Sequence, residues 1–147
     1  MNFSIFASVK SLLMKWILKK YPVSLGLILV ITYLSFFTPP KTQLDEITNF
    51  DKFVHFCMYF TLSSVIWIEF FRAHRNEKAP LARGFAGALV FPILYSGVVE
   101  LLQAYATTMR SGDWADFIFN TLGVLVGTAV CYFWGRRRFF KDTPPLC

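Results

Sequence analysis

The chain has 147 residues, of which 55% are hydrophobic and only 16% charged, with a mean hydropathy of +0.48. Soluble domains carry roughly 25% charged residues, and one this small buries only part of the surface of its unfolded chain. A soluble globular fold is therefore excluded, and the bilayer is the solvent that suits this composition. The net charge of +6 raises the question of nucleic acid. The basic residues, however, sit in short segments between apolar runs, the pattern of loops that meet anionic lipid. No basic stripe alternates with stacking aromatics, as a nucleic-acid surface requires. Cys57, Cys131 and Cys147 show no metal-ligand spacing and no disulfide framework.

The first element is a basic amphipathic stretch, Phe3 to Lys20. Ser4, Ser8, Ser11, Lys15 and Lys19 recur every three or four residues and form one polar stripe, with Ile5, Val9, Leu12 and Trp16 around the rest. This pattern predicts an interfacial helix lying on an anionic membrane face. A cleaved signal peptide is disfavoured, since no small-residue cleavage site precedes Pro39. The first spanning candidate is Pro22 to Phe37, opened by a proline suited to a helix start and stopped by Pro39-Pro40. It falls short of the ~20 residues a span needs, so Tyr21 and Thr38 are expected to extend it. Phe53 to Phe71 is the second candidate and Phe85 to Ala106 the third, where Pro92 predicts a kink. Trp114 to Trp134 is the fourth, with tryptophans at both ends as interface anchors. The expected fold is thus an all-α membrane protein, a bundle of four transmembrane helices with an N-terminal interfacial helix. Its parts are a basic arm (1–21), a membrane domain (22–134) and a basic tail (135–147).

Orientation follows from lysine and arginine. The arm holds Lys10, Lys15, Lys19 and Lys20; the loop after the second span holds Arg72, Arg75, Lys78 and Arg83; the tail holds Arg136, Arg137, Arg138 and Lys141. Lys41, Lys52 and Arg110 are left for the other side. The excess places both termini in the cytoplasm.

With that topology a set of polar residues collects at the outer ends of three helices. Asp51, Lys52, His55 and Tyr59 open the second span, Glu100 and Gln103 close the third, and Asp116 and Asn120 open the fourth. Arg110 and Asp113 occupy the loop between the last two. Intervals of three and four place each set on one helix face. A carboxylate in hydrocarbon costs about 2.5–3.5 kcal/mol at a helix centre, so Glu100 and Asp116 are expected to face inward, paired with Lys52, Arg110 or His55. Bland alternatives stand beside this reading. Asp51 has the chemistry of a helix N-cap, Arg110 and Asp113 that of a solvated loop pair, and Asn120 that of an interhelical hydrogen bond. Gly123 and Gly127 continue the Asp116–Asn120 stripe as a small-xxx-small pair for close helix packing. Glu69 is expected to snorkel or pair with Arg72 at the inner interface.

The run Asp51-Lys52-Phe53-Val54-His55-Phe56, with Tyr59 and Leu62, resembles the first signature of VanZ-like membrane proteins. Glu100-x-x-Gln103, Arg110, Asp113, Asp116, Asn120, Gly123 and Gly127 resemble the second. The resemblance covers residues 22 to 134 and does not include the N-terminal arm. It implies a protein of the bacterial cytoplasmic membrane, in a family named for a member associated with resistance to the glycopeptide teicoplanin. It supplies no mechanism.

Three functions compete on these residues. The first is binding of an amphiphile, such as a lipid-linked envelope intermediate or a glycopeptide, among membrane lipids. Lys52 and Arg110 would hold anionic groups, Gln103, Asp113 and Asn120 the polar contacts, and Tyr59 with the apolar walls the tail. The second is an enzyme acting on a lipid head group, with His55 as general base oriented by Glu100 or Asp116. No serine or cysteine nucleophile accompanies the histidine. The third is a structural partner in a membrane complex. No cofactor is expected, and metal ligation by His55 with Glu100, Asp113 and Asp116 is set aside because Lys52 and Arg110 lie close by. An ion channel is disfavoured, since no polar stripe continues to the inner face.

Reporter fusions at Cys147 and near Lys41 test the topology. A cytoplasmic signal at Cys147 and an external one at Lys41 are expected, and the reverse pattern moves the polar cluster to the inner face.

Overall fold

The computed structural model describes residues 3–37, 50–75, 79–106 and 113–139. Six α-helices follow one another: α1 (Phe3–Lys20), α2 (Pro22–Phe36), α3 (Phe50–Ala73), α4 (Leu81–Phe85), α5 (Phe91–Ala106) and α6 (Trp114–Phe139). A π-helical turn, Ala86–Val90, joins α4 to α5. Three rods have the length and apolarity to cross a bilayer: Phe50–Ala73, Leu81–Tyr105 and Trp114–Gly135. The expected second and third spans therefore begin earlier than their hydrophobic runs suggest, at Phe50 and Leu81. The last helix continues through Gly135–Phe139 into the expected tail.

The first expected span takes a different form. Helix α2 has 15 residues, about 22 Å at 1.5 Å per residue, against a hydrocarbon core of about 30 Å. Tyr21 does not extend it, because its backbone leaves the helical region (φ −131°, ψ 47°). Thr38 lies outside the described residues. The segments Ser8–Lys20 and Pro22–Phe36 meet at 92°, so α1 runs across the direction of α2. Among the described residues the bundle thus holds three long spans, or four if the bent pair α1–α2 counts as one. Helix α1 keeps Val9, Leu12, Leu13 and Met14 exposed. It docks by its end, where the Trp16 ring lies 6.3 Å from that of Tyr21 and 6.5 Å from that of His74.

Helices α3 and α6 form the closest pair. A Cβ on Gly123 would overlap the Phe56 carbonyl, and one on Gly127 would lie 2.7 Å from the Phe60 carbonyl. At Gly135 the space is taken by the Phe71 ring. Spacing of four residues puts Gly123 and Gly127 on one stripe, where the backbone of α3 comes closest to α6. Below the stripe, Trp67 packs edge-on against Phe70 and Phe85 and near-parallel to Phe71.

Pro92 accounts for the π turn. A proline has no N–H, so in a regular α-helix the carbonyl four residues back, that of Ala88, would lose its donor. Instead the Phe91 N–H donates to Ala86, a five-residue step. The Ala88 carbonyl accepts from Ser63 Oγ at 2.8 Å and from Thr128 Oγ1 at 3.4 Å. The kink expected at Pro92 is thus absorbed as a local widening, with the freed carbonyl satisfied by hydroxyls of α3 and α6.

Glu69 corrects the sequence reading. It neither snorkels nor pairs with Arg72, and only 7% of it is exposed. Its carboxylate accepts the Val23 N–H at 2.9 Å, the Ser24 N–H at 3.1 Å and the Ser24 hydroxyl. These are orphan donors at the start of α2, where a negative charge also meets the positive end of the helix dipole.

Two predictions follow from this packing. Gly127→Ile should destabilise the detergent-solubilised protein by at least ~1–3 kcal/mol, as overpacking does. Gly26→Ala, where an added Cβ meets nothing within 4 Å, should leave it unchanged; thermal unfolding in parallel checks both. Glu69→Ala strips the Val23 and Ser24 donors of their acceptor at about 1–3 kcal/mol per buried group. Hydrogen exchange at Val23 and Ser24 should accelerate while that of α6 stays slow.

Candidate functional site

Helices α3 and α6 begin, and α2 and α5 finish, at the same end of the bundle. The approach of α3 to α6 brings their first two turns face to face there. His55, 3% exposed, points its Nε2 at two carboxylates, Asp51 Oδ1 and Asp116 Oδ2, each 3.9 Å away. Its Nδ1 lies 3.2 Å from Asn120 Oδ1. The Asn120 amide donates in turn to Glu100 Oε1 at 3.3 Å. That second bond orients the amide: a carboxylate accepts, so Asn120 turns its NH₂ to Glu100 and its oxygen to the imidazole. Nδ1 therefore donates to Asn120, and the Nε2 edge of the ring faces Asp51 and Asp116.

Of the predicted residues, the structure thus assembles His55, Glu100, Asp116 and Asn120, with Asp51, into one chain of contacts. Glu100 reaches His55 only through Asn120, so Asp116 and Asp51 are the carboxylates that face the imidazole. Asp51 stands inside the first turn of α3, which starts at Phe50; this replaces the N-cap reading. The residue that caps a helix is Asp113, at the start of α6: its Oδ1 accepts the Ala115 N–H at 2.9 Å and its carbonyl accepts that of Asp116 at 3.0 Å. Lys52 reaches neither Glu100 nor Asp116; its Nζ lies 3.7 Å from Asp113 Oδ2, a partly solvated pair of small energetic weight. Gln103 bonds away from the imidazole, donating to the Ser35 carbonyl of α2 at 2.7 Å. Tyr59 is buried in the core, its ring 6.1 Å from that of Tyr95, and its hydroxyl has no hydrogen-bond partner among the described residues. Arg110 lies outside the described residues.

Beside this chain of contacts a groove of about 280 Å³ opens between α5 and α6. Glu100 and Asp113 mark its polar parts, and Gly97, Leu101, Trp114 and Phe117 line its walls. Leu101 is 55% and Trp114 79% exposed, so the groove opens to the outside of the bundle. Sequence periodicity did not single out these walls, because a lipid-facing leucine and a groove-lining one read alike. Gly97 is the one local signal, a gap in the α5 surface opposite the Phe117 ring at 3.5 Å.

Comparison with known proteins agrees with this arrangement at the level of family. The VanZ/LLP1 family model matches residues 1–135, so the match takes in α1 as well as the motifs of α3, α5 and α6. No curated relative and no solved structure gives a significant match. A family match over nearly the whole chain, on three to four apolar spans, makes this protein a multi-pass membrane member of the VanZ/LLP1 family.

Proposed function

We propose that this protein binds an amphiphile at the lateral groove between α5 and α6, with the apolar chain along Leu101, Trp114 and Phe117 and the polar head at Glu100 and Asp113. The observation that carries the reading is the groove itself: apolar walls open towards lipid, and its carboxylates adjoin the His55 cluster. A lipid-linked envelope intermediate or a lipoglycopeptide has this divided chemistry, with a hydroxyl- and amine-rich head that carboxylates can hydrogen-bond. Arg110, which lies in sequence between the groove's two helices, supplies a cation for phosphate. On this reading the head group sits at the outer face of the bacterial cytoplasmic membrane, both termini are cytoplasmic, and binding contributes to resistance by retaining the ligand.

A second reading has an observation of its own. His55, with Nε2 turned to two flanking carboxylates, has the makings of a general base, with water or a substrate hydroxyl as the attacking group.

Purified protein in nanodiscs, offered lipid-linked envelope precursors, separates the two. Binding alone predicts retention without conversion, a several-fold weakening in Glu100→Gln and a larger loss in Arg110→Ala, where a charge-assisted contact goes. Conversion that falls 10²–10⁴-fold in His55→Gln with retention intact makes the protein an enzyme. Neither retention nor conversion sinks both readings.

A further inference from the structure

We propose that Asp51, His55 and Asp116 form a site for a divalent transition-metal ion, with zinc or manganese the chemistry that fits. The three side chains each offer one donor atom, and these lie within 4.8 Å of one another. Donors held about 2.1 Å from a common ion stand ~3–4 Å apart, and the two His55–carboxylate separations are 3.9 Å. Those separations are too long for the hydrogen bonds of a charged pair, which run about 2.7–2.9 Å. The imidazole Nε2 thus has no hydrogen bond among the described residues, although 97% of the side chain is out of solvent. Asp116 Oδ1 is also buried without a hydrogen-bond partner there.

The contacts of the other ring nitrogen carry the argument further. Asn120, itself held by Glu100, takes the Nδ1 proton, which leaves Nε2 as the ring nitrogen turned to Asp51 and Asp116. A metal ion between the three would be met by the imidazole and both carboxylates. The Glu100–Asn120–His55 relay is also the outer support that metal-bound histidines characteristically have, fixing ring orientation and tautomer from the far nitrogen. Lysine, the neighbour that argued against a metal, is turned away: Lys52 pairs with Asp113. Among the described residues this end of the bundle holds four carboxylates (Asp51, Glu100, Asp113, Asp116) against that one ammonium, and a divalent ion offsets the excess. One imidazole with carboxylates favours zinc or manganese over magnesium or calcium, which take oxygen donors.

The site is read from the protein alone, so its test does not depend on the amphiphile. Full-length protein in nanodiscs of zwitterionic lipid is stripped with chelator and titrated calorimetrically with zinc. One ion per chain is expected. Asp116→Asn and Asp51→Asn should each weaken binding by at least tenfold, since loss of even an outer-shell partner commonly costs 10–100-fold. His74→Gln, at the opposite end of α3 with its Nδ1 2.9 Å from the Phe70 carbonyl, should bind as the unaltered chain does. A buried histidine is a demanding site to change, so His55 is tested without mutation. Manganese bound to the unaltered chain should show electron-spin-echo modulation from one imidazole nitrogen, retained in His74→Gln. Absence of stoichiometric zinc uptake, full affinity in the two aspartate variants, or a manganese spectrum without nitrogen coupling overturns the assignment.

Discussion

At two points along α6 there is no room for a side chain, because the backbone of α3 occupies the space. Gly123 faces the Phe56 carbonyl and Gly127 the Phe60 carbonyl. In lipid no hydrophobic driving force holds helices together, so association depends on close van der Waals fit and on polar contacts between them. The glycine stripe supplies the first and makes the second possible. Ser63 reaches Thr128 across the seam at 3.0 Å because the helices approach so nearly. One turn and more towards the other end, the same approach sets His55 against Asn120 and Asp116. The cluster at the bundle end is therefore a geometric consequence of the seam: widen the helix spacing, and the imidazole loses both its anchor and its carboxylate.

Burial of charge organises the rest of the interior. Glu69 and Glu100 are both almost wholly buried, and each is compensated differently. Glu69 meets backbone N–H groups at the start of α2, where the carboxylate completes a helix terminus and ties the short α2 to α3. Glu100 meets a side-chain amide that is itself bonded to His55. The first arrangement closes on itself, since its acceptors and donors are matched within the fold. The second passes its polarity on to the imidazole, which faces Asp51 and Asp116, and Asp116 Oδ1 is buried with no hydrogen-bond partner among the described residues. That difference separates a structural carboxylate from one in a cluster suited to a ligand.

The π turn before Pro92 shows how a helix irregularity is made tolerable in a membrane. A freed carbonyl in hydrocarbon has no water to turn to. Ala88 is instead met by hydroxyls from two neighbouring helices, and the same contacts lock α4 and α5 onto the α3–α6 seam. Helix α5 then carries Gly97 and Glu100 to the wall of the lateral groove, with Trp114 and Phe117 opposite.

The amino-acid sequence by itself determined the class of this protein and much of its layout. Apolar runs as long as Phe53–Phe71 or Trp114–Trp134 leave few solvents but lipid, and the intervals among His55, Asp116 and Asn120 already place them on single helix faces. Helical periodicity is a local property, and a single sequence displays it. Which faces meet is not local. Whether Glu69 snorkels or caps α2 depends on a helix more than forty positions away. Whether Lys52 neutralises Asp116 or Asp113 depends on the rotation of α3 against α6. Gln103 and Glu100 share a face by spacing, yet one bonds to α2 and the other to α6, because the two neighbours stand on either side of that face. Only the packed bundle decides such partners, since the cost of an unsatisfied polar group in hydrocarbon selects among arrangements that the sequence leaves equivalent.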